Sequence, residues 1–447
     1  MSGAGTIAAP GGIETLPDKQ RVFILSLVFM GLAHLTLLKQ YVKGALFALC
    51  ELVFICFLPA IVGKISDLIT LGTPTPELLI TQRDNSVFML IDGIMILAVI
   101  AVFAALYYIS ARSAKNECRA IYANGKFPPK RSAVQTLTGS AFPVAALTPA
   151  FILIVFFVIV PLIFSACVAF TNYSSPDHIP PSNTVDWVGL DNFVFMFGGD
   201  NIWSGALFRV TIWTVIWAAL ATFTCYFGGM AMAVVMRDSK LKVTGLFRAI
   251  FILPYAVPAA ISLMVWRNLL NGSFGTINQT LMQLGLIKDA IPWLSDPLLA
   301  QVMVIIINLW AGFPYFMLLV TGAMTAVPND CYEAASIDGA SKWQVFRHVT
   351  LPQVLYQTAP LIIMSFTHNI NNFGAIWFLT AGYPAVSDST LTSARGTDIL
   401  VSWIYNLTVI SLKYNYAAVL AVMIFVALAP FAIMNFRRTK SFKEGAI

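Results

Sequence analysis

An all-α integral membrane protein of about eight spans is the fold class this sequence predicts, and three observations carry it. The 447 residues are 58% hydrophobic and only 11% charged, where a soluble domain carries roughly a quarter charged residues. Mean hydropathy is +0.79. The apolar residues come in runs of about twenty, the length at which a helix rising about 1.5 Å per residue crosses about 30 Å of hydrocarbon, and not in short alternating strands. Lys and Arg sit in short loops beside those runs, where they set topology. The net charge of +6 is therefore assigned to orientation in the membrane. Lipid is an expected partner and nucleic acid is not.

In chain order, residues 1–21 are rich in Gly, Ala and Pro and lack the succession of basic, apolar and cleavage regions of a signal peptide. They read as a flexible N-terminal tail. Residues 22–135 read as an N-terminal membrane extension. Its first part, 22–38, is apolar but short, with Lys19 and Arg21 before it and Lys39 and Lys43 after it. A re-entrant or interfacial helix held on the cytoplasmic side is expected there; a ninth span with the N-terminus outside is the alternative. Spans follow at about 44–62 and 87–110, and their isolated acids, Glu51 and Asp92, are expected to pair locally or approach the interface rather than bind substrate. Residues 140–436 hold six stronger spans, at about 147–171, 209–236, 249–267, 299–323, 359–380 and 415–435. Residues 437–447 form a cytoplasmic tail.

Loop charges orient these spans, because cytoplasmic loops collect Lys and Arg. Arg112, Lys115, Arg119, Lys126, Lys130 and Arg131 face a single acid, Glu117, and belong inside. The loop 172–208 carries Asp177, Asp186, Asp191 and Asp200 with no Lys or Arg and belongs outside. Arg237, Lys240, Lys242 and Arg248 return the chain inside, where Arg437, Arg438, Lys440 and Lys443 also end it. Counting spans then puts 324–358 in the cytoplasm. Five of six cysteines, Cys50, Cys56, Cys167, Cys225 and Cys331, lie in or against apolar runs without metal-type CxxC spacing. Packing is their expected role, and no metal site is expected.

The cytoplasmic loop holds a polar island, EAASIDGASKWQVFRHVTLP, from Glu333 to Pro352. Glu333 to Ser336 reads as a helical turn or more, Asp338-Gly339 as a break where Gly takes a positive φ, and Lys342 to Val349 as a second short helix. Pro352 opens the next element. Two short helices at an angle make a knob that fits a groove of a soluble protein; an ordinary solvated loop is the plain alternative.

The string E-A-A-x-x-D-G-A-x-x-x-x-x-F-x-x-V-x-L-P, with Val349 its one conservative departure, resembles the EAA loop of permease subunits in ABC importers. The resemblance implies that Glu333, Ala334, Ala335, Asp338, Gly339, Ala340, Phe346, Leu351 and Pro352 form a coupling helix. That helix docks into a cytoplasmic ATPase dimer, with Glu333 facing the ATPase and Gly339 permitting the bend. It also implies a six-helix permease core, a second homologous permease subunit, an extracytoplasmic sugar-binding protein and a plasma-membrane location. ATP and Mg belong to the ATPase; no cofactor is expected in this chain, which has no G-x-x-x-x-G-K-S/T loop.

Several segments outside that loop, ILPYAVPAAIS from Ile252, LNGSFGTIN from Leu270, NLWAGFPY from Asn308, NNFGAIWFLT from Asn371 and GTDILVSWIY from Gly396, are similar to the maltose and maltodextrin MalF-type permeases. The loop 172–208 is about 37 residues long, where some members carry a large extracytoplasmic domain.

Polar groups within spans cost free energy unless they meet a cavity or a partner. At 100° per residue, Ser365, His368, Asn369 and Asn372 share one helical face. Asn amides donate and accept together, which suits vicinal hydroxyls, and aromatic rings stack on the C–H face of a pyranose. The plain alternative is that these groups bond a neighbouring helix, and it is preferred for Thr367 and Asn371. The MalF-type resemblance adds Tyr255, Asn308, Gly312 and Tyr315 to the sugar site. It departs at His368, where the family has Phe, and at Ala259 and Ala311, which replace a Ser and a Leu. Pro254, Pro258 and Pro314 are expected to kink their spans, toward a cavity or for packing alone.

The predicted function is sugar translocation by an ATP-driven importer, for a neutral oligosaccharide such as maltose or maltodextrin. Another sugar or a glycerol derivative is the alternative cargo, and Arg or Lys would be expected along a path for phosphate. An ion-coupled secondary transporter needs acids near the bilayer midplane, which the core spans lack. A membrane enzyme needs paired carboxylates or metal ligands, which the core also lacks.

Overall fold

The computed structural model describes residues 6–9, 12–75, 77–79, 82–124, 127, 142–180, 183–199, 201–238 and 244–438. Among them, six helices are long and apolar enough to cross a membrane, or eight if each of two bent pairs is one span. Contacts divide the chain into two compact units, 1–167 with 176–187, and 168–175 with 188–447. The division falls later than the boundary near 140 that charge and hydropathy set.

The first unit opens with a hairpin, β1 (Thr6–Ala9) and β2 (Gly12–Thr15), which pair antiparallel with Thr6 opposite Thr15. The segment expected as a tail over 1–21 is therefore partly structured. Asp18 then caps α1 (Lys19–Val28) by accepting from the Gln20 amide at 3.0 Å. Gly31, at φ 84°, separates it from α2 (Leu32–Thr36), and a Cβ there would sit 2.2 Å from the Gly44 carbonyl. Helices of 10 and 5 residues are too short to span, since crossing takes about twenty residues.

α3 (Tyr41–Cys56) and α4 (Leu58–Thr70) form one bent pair, at 53°. α5 (Ser86–Asn124) has 39 residues, nearly twice the spanning length, and its last third carries Arg112, Lys115, Glu117 and Arg119. Val22, Ala33 and Leu38 pack on that charged third through Ala114, Cys118 and Ile121, so α1 and α2 lie against the end of α5 that leaves the hydrocarbon. The two isolated acids pair locally: Asp92 meets Lys64 at 2.8 Å, and Glu51 accepts the Met30 amide. α6 (Phe142–Ile154) runs through a π turn (Val155–Ile159) into α7 (Val160–Val168). Lys126, Lys130 and Arg131 lie outside the described residues, as do Asp200, Lys240, Lys242, Lys440 and Lys443.

The second unit is built on α9 (Ile202–Asp238) and α13 (Pro297–Thr325), which make its largest helix contact; α8 (Asp191–Phe197) precedes them. Pro297 starts α13 at a position where its missing N–H costs nothing, and Asp296 caps it through the Leu299 amide at 2.8 Å. Two apolar clusters stack along the pair. One gathers Trp213, Trp217, Met303, Ile307 and Ile376, the other Cys225, Tyr226, Met230, Phe316 and Val320. α10 (Thr244–Ala256) and α11 (Ala259–Leu269) meet at 88° at Pro258, the sharper of the two bent pairs among the described residues. α12 (Thr276–Gln283) lies in the loop that leads to α13.

The polar island differs from its expected form. α14 (Asn329–Ile337) is a separate helix, but α15 (Lys342–Val345) continues through a π turn (Phe346–Thr350) into α16 (Leu351–Ile370). Pro352 thus lies inside a single helix, 342–370, and does not open a new element. Proline lacks an N–H and crowds the carbonyl four residues back; the wider π turn immediately before it absorbs both. The apolar helix expected at 359–380 ends at Ile370, where Asn372 caps α17 (Phe373–Leu379) by accepting from the Ala375 amide at 3.2 Å. The loop after it holds α18 (Ser389–Thr392) and is tied to α9 by Arg209, which meets Asp388 at 2.7 Å and donates to the Arg395 carbonyl at 3.0 Å. α19 (Leu400–Tyr405), a π turn (Asn406–Ile410) and α20 (Tyr414–Arg438) complete the unit.

Candidate functional site

Two sets of residues were singled out by sequence, and the fold treats them differently. In the island, Gly339 has φ 73° with open space around its Cα, so the turn needs a residue without a left-handed penalty. Ser341 and Gln344 then form a reciprocal capping box that restarts the helix. Glu333, Ala334, Asp338 and Pro352 are exposed, and Ala335 and Ala340 half-buried. Phe346 and Leu351 instead pack on the Met230 and Phe316 cluster. They anchor the loop and leave the outward face to α14 and the turn.

Sequence reading missed the residues that complete this face. Ile337 is 86% exposed and Trp343 66% exposed, a large apolar pair at the turn. Tyr332 is the hub behind it: the Arg237 guanidinium lies 4.0 Å over its ring and donates to its hydroxyl at 2.7 Å, and Thr350 donates to the same oxygen at 3.4 Å. An aromatic beside Glu333 and a Trp inside a polar loop were the available signals.

In the second set the fold brings together Tyr255, at the end of α10, and Tyr315 on α13, with ring centroids 6.0 Å apart; both rings are exposed. Ala259 is the first residue of α11, just past the 88° bend. Ala311 is half-buried.

Three other members turn to α9. The Asn308 amide donates to Cys225 Sγ at 3.3 Å while the Cys225 thiol donates to the Asn308 carbonyl at 3.4 Å. Gly312 gives that same sulfur room, since a Cβ there would lie 2.8 Å from it. Asn369 is buried, donates to Thr222 Oγ1 at 3.0 Å, and receives the Trp217 indole N–H on its carbonyl at 3.0 Å. The side-chain amides of Asn308 and Asn369 are thus engaged within the helix bundle.

Ser365 and His368 do share a face with Asn369, and His368 is exposed. Asn372 falls beyond the helix end, donating to Asn369 Oδ1 at 3.4 Å, so the continuous four-residue face expected from periodicity stops at Asn369. Thr367 bonds back to the Ile363 carbonyl at 3.0 Å, within its own helix. Also unforeseen was the contact of Tyr226 with Thr358, hydroxyl to hydroxyl at 2.7 Å, which joins α9 to α16.

Residues 226–438 match the family described as binding-protein-dependent transport system inner membrane component. The chain is 38% identical over 413 residues to the galactooligosaccharides transport system permease protein GanP of Bacillus subtilis (strain 168), covering 91% of this chain and 95% of that one. It is 36% identical over 420 residues to the maltodextrin transport system permease protein MalC of Streptococcus pneumoniae serotype 4, covering 90% and 92%. Among solved structures, a bacterial alginate ABC transporter in complex with alginate pentasaccharide-bound periplasmic protein superposes with a TM-score of 0.55 at 19% identity. That match covers 70% of this chain and 99% of the other, and shows a common fold. The chain therefore belongs to the carbohydrate permeases of ABC importers, multi-pass plasma-membrane translocation subunits whose ATPase is a separate subunit.

Proposed function

We propose that this permease carries a neutral oligosaccharide such as maltose or maltodextrin across the membrane by alternating access. The observation that carries the reading is the exposed Tyr255–Tyr315 pair, 6.0 Å apart beside the 88° bend. Two tilted rings offer stacking surfaces for a pyranose. The exposed His368 and half-buried Ser365 add hydrogen-bonding groups, and the stretch from Ser365 to Asn372 contains no Lys or Arg to favour an anionic cargo. Relatives named for maltodextrin and galactooligosaccharide transport agree with a neutral oligosaccharide, and the identity to GanP makes a galactose-containing oligosaccharide the second reading.

Its partners in this proposal are a second homologous permease, a cytoplasmic ATPase dimer that binds ATP and Mg, and an extracytoplasmic sugar-binding protein. The C-terminus and the island then face the cytoplasm. The turn at Gly339, with Glu333, Ile337 and Trp343 exposed around it, docks on the ATPase. Closure of the ATPase pair is passed through the single helix 342–370 to the spans.

The test is uptake of radiolabelled maltotriose and of galactotriose by proteoliposomes holding the complete importer. Tyr315→Ala should lower uptake of the transported sugar while unstimulated ATP hydrolysis persists, and Glu333→Lys should separate hydrolysis from uptake. Normal uptake in Tyr315→Ala removes the ring pair from the sugar path; uptake of galactotriose alone selects the second reading.

A further inference from the structure

The first unit holds a groove of about 530 Å³ among α1, α3 and α5, lined by Leu27, Phe54, Ile100, Phe103, Tyr107 and Ala111. Its floor is aromatic: Phe103 stacks on Phe54 at 3.8 Å, and Tyr107 meets Phe103 edge-on at 6.0 Å. The Tyr107 hydroxyl donates to the Leu27 carbonyl at 2.8 Å. That bond ties α1 to α5 as one wall and occupies one of the two hydroxyls of the lining; the other belongs to Tyr108, which is largely exposed. A sugar finds almost nothing to bond in such a lining, whereas a hydrocarbon chain needs nothing more.

The dimensions are informative. From Ile100 to Ala111 the groove follows α5 for about 16 Å at 1.5 Å per residue, roughly half of the ~30 Å hydrocarbon core and so one leaflet deep. Just past Ala111 the helix turns basic. Arg112, Lys115 and Arg119 are exposed and make no ion pair among the described residues. Lys115 lies four residues beyond Ala111, on the same helical side and about 6 Å further along. A carbon-lined slot one leaflet deep, ending at unpaired cations, has the charge and shape pattern of a phospholipid.

We propose that this groove binds an anionic phospholipid, with one acyl chain along Ile100 to Ala111 and the phosphate at Lys115 and Arg112. Charge complementarity separates this occupant from a neighbouring helix, which would fill the groove without an anion at the height of Lys115. The leaflet flanked by basic loops is also the one in which anionic headgroups reward Lys and Arg.

The test is native mass spectrometry of the full-length chain in mild detergent, offered equal amounts of dioleoylphosphatidylglycerol and dioleoylphosphatidylcholine. Wild type should retain the anionic lipid in excess by roughly thirtyfold, the scale that two basic residues near a charged headgroup supply. Arg112→Gln with Lys115→Gln should erase that preference and leave total bound lipid unchanged. These side chains are exposed, so the variant keeps its fold. Ala104→Trp, which fills the groove from α5, should displace both lipids. Equal retention of the two lipids by wild type, or an unchanged preference in the double variant, overturns the proposal. So does a cross-link from the Ala104→Cys variant to the partner permease in the assembled importer, which would mean that a helix occupies the groove.

Discussion

Gly312→Ala separates two roles for a residue that sequence placed in the sugar path. The added Cβ would lie 2.8 Å from Cys225 Sγ, which must retreat about 0.6 Å to reach an ordinary 3.4 Å contact. That sulfur is held by Asn308 on both sides, accepting from its amide at 3.3 Å and donating to its carbonyl at 3.4 Å. Overpacking of a well-filled contact costs about 1–3 kcal/mol, and replacing a helical glycine by alanine returns about 0.5–1 kcal/mol. The net expectation is a loss of up to about 2.5 kcal/mol. Cys225→Ala removes the obstructing atom, so the double variant should recover most of that loss, a coupling of about 1–2 kcal/mol between contacting residues. Stability by steric trapping in bicelles, with sugar uptake on the same four proteins, completes the cycle. If Gly312→Ala impairs uptake and Cys225→Ala rescues neither stability nor uptake, the glycine makes room for cargo, and the packing argument fails.

Thr222→Val should cost about 0.5–1.7 kcal/mol, the range of single interhelical hydrogen bonds in membranes, because it strands the buried Asn369 amide; pairing it with Asn369→Ala should be non-additive in the same unfolding assay. His34 is fully buried, and burial, then the Lys43 charge, lowers its pKa from 6.5 to about 4. Its neutral form is the one the fold holds, so the unfolded chain binds more protons between those values, and stability should fall with pH from 6.5 to 4 by up to about 1.4 kcal/mol per unit. His34→Gln should flatten that slope in unfolding measured across pH 4 to 7. At Gly339, with φ 73° and nothing nearby, Ala should cost about 1–2 kcal/mol of turn stability and keep sugar-stimulated ATP hydrolysis. Pro, whose φ is locked near −65°, should abolish it.

Much of the fold was legible because its signals are local. Spanning length and hydropathy located the six long apolar helices of the described residues and the two segments that fold as bent pairs, though not the bend after Cys56, since each span must satisfy its own backbone within the bilayer. Gly339 announced the turn by conformational preference alone. What stayed illegible depended on partners far apart in the chain. Pro352 looked like a boundary, yet the π turn before it lets the helix run on to Ile370. Asn369 and Asn372 looked like one face, yet one is held by Thr222 and the other caps the next helix.

Composition and run length by themselves determined the membrane class, and the resemblance carried by the residues from Glu333 to Pro352 implied the importer family and a separate ATPase. These are properties of single segments and fixed offsets. Only the tertiary structure decided which polar side chains remain available to a ligand. Periodicity tells which side of a helix a residue occupies, but not which neighbour covers that side. Asn308, Gly312 and Asn369 were claimed by α9, while the rings of Tyr255 and Tyr315 were left exposed at the bend.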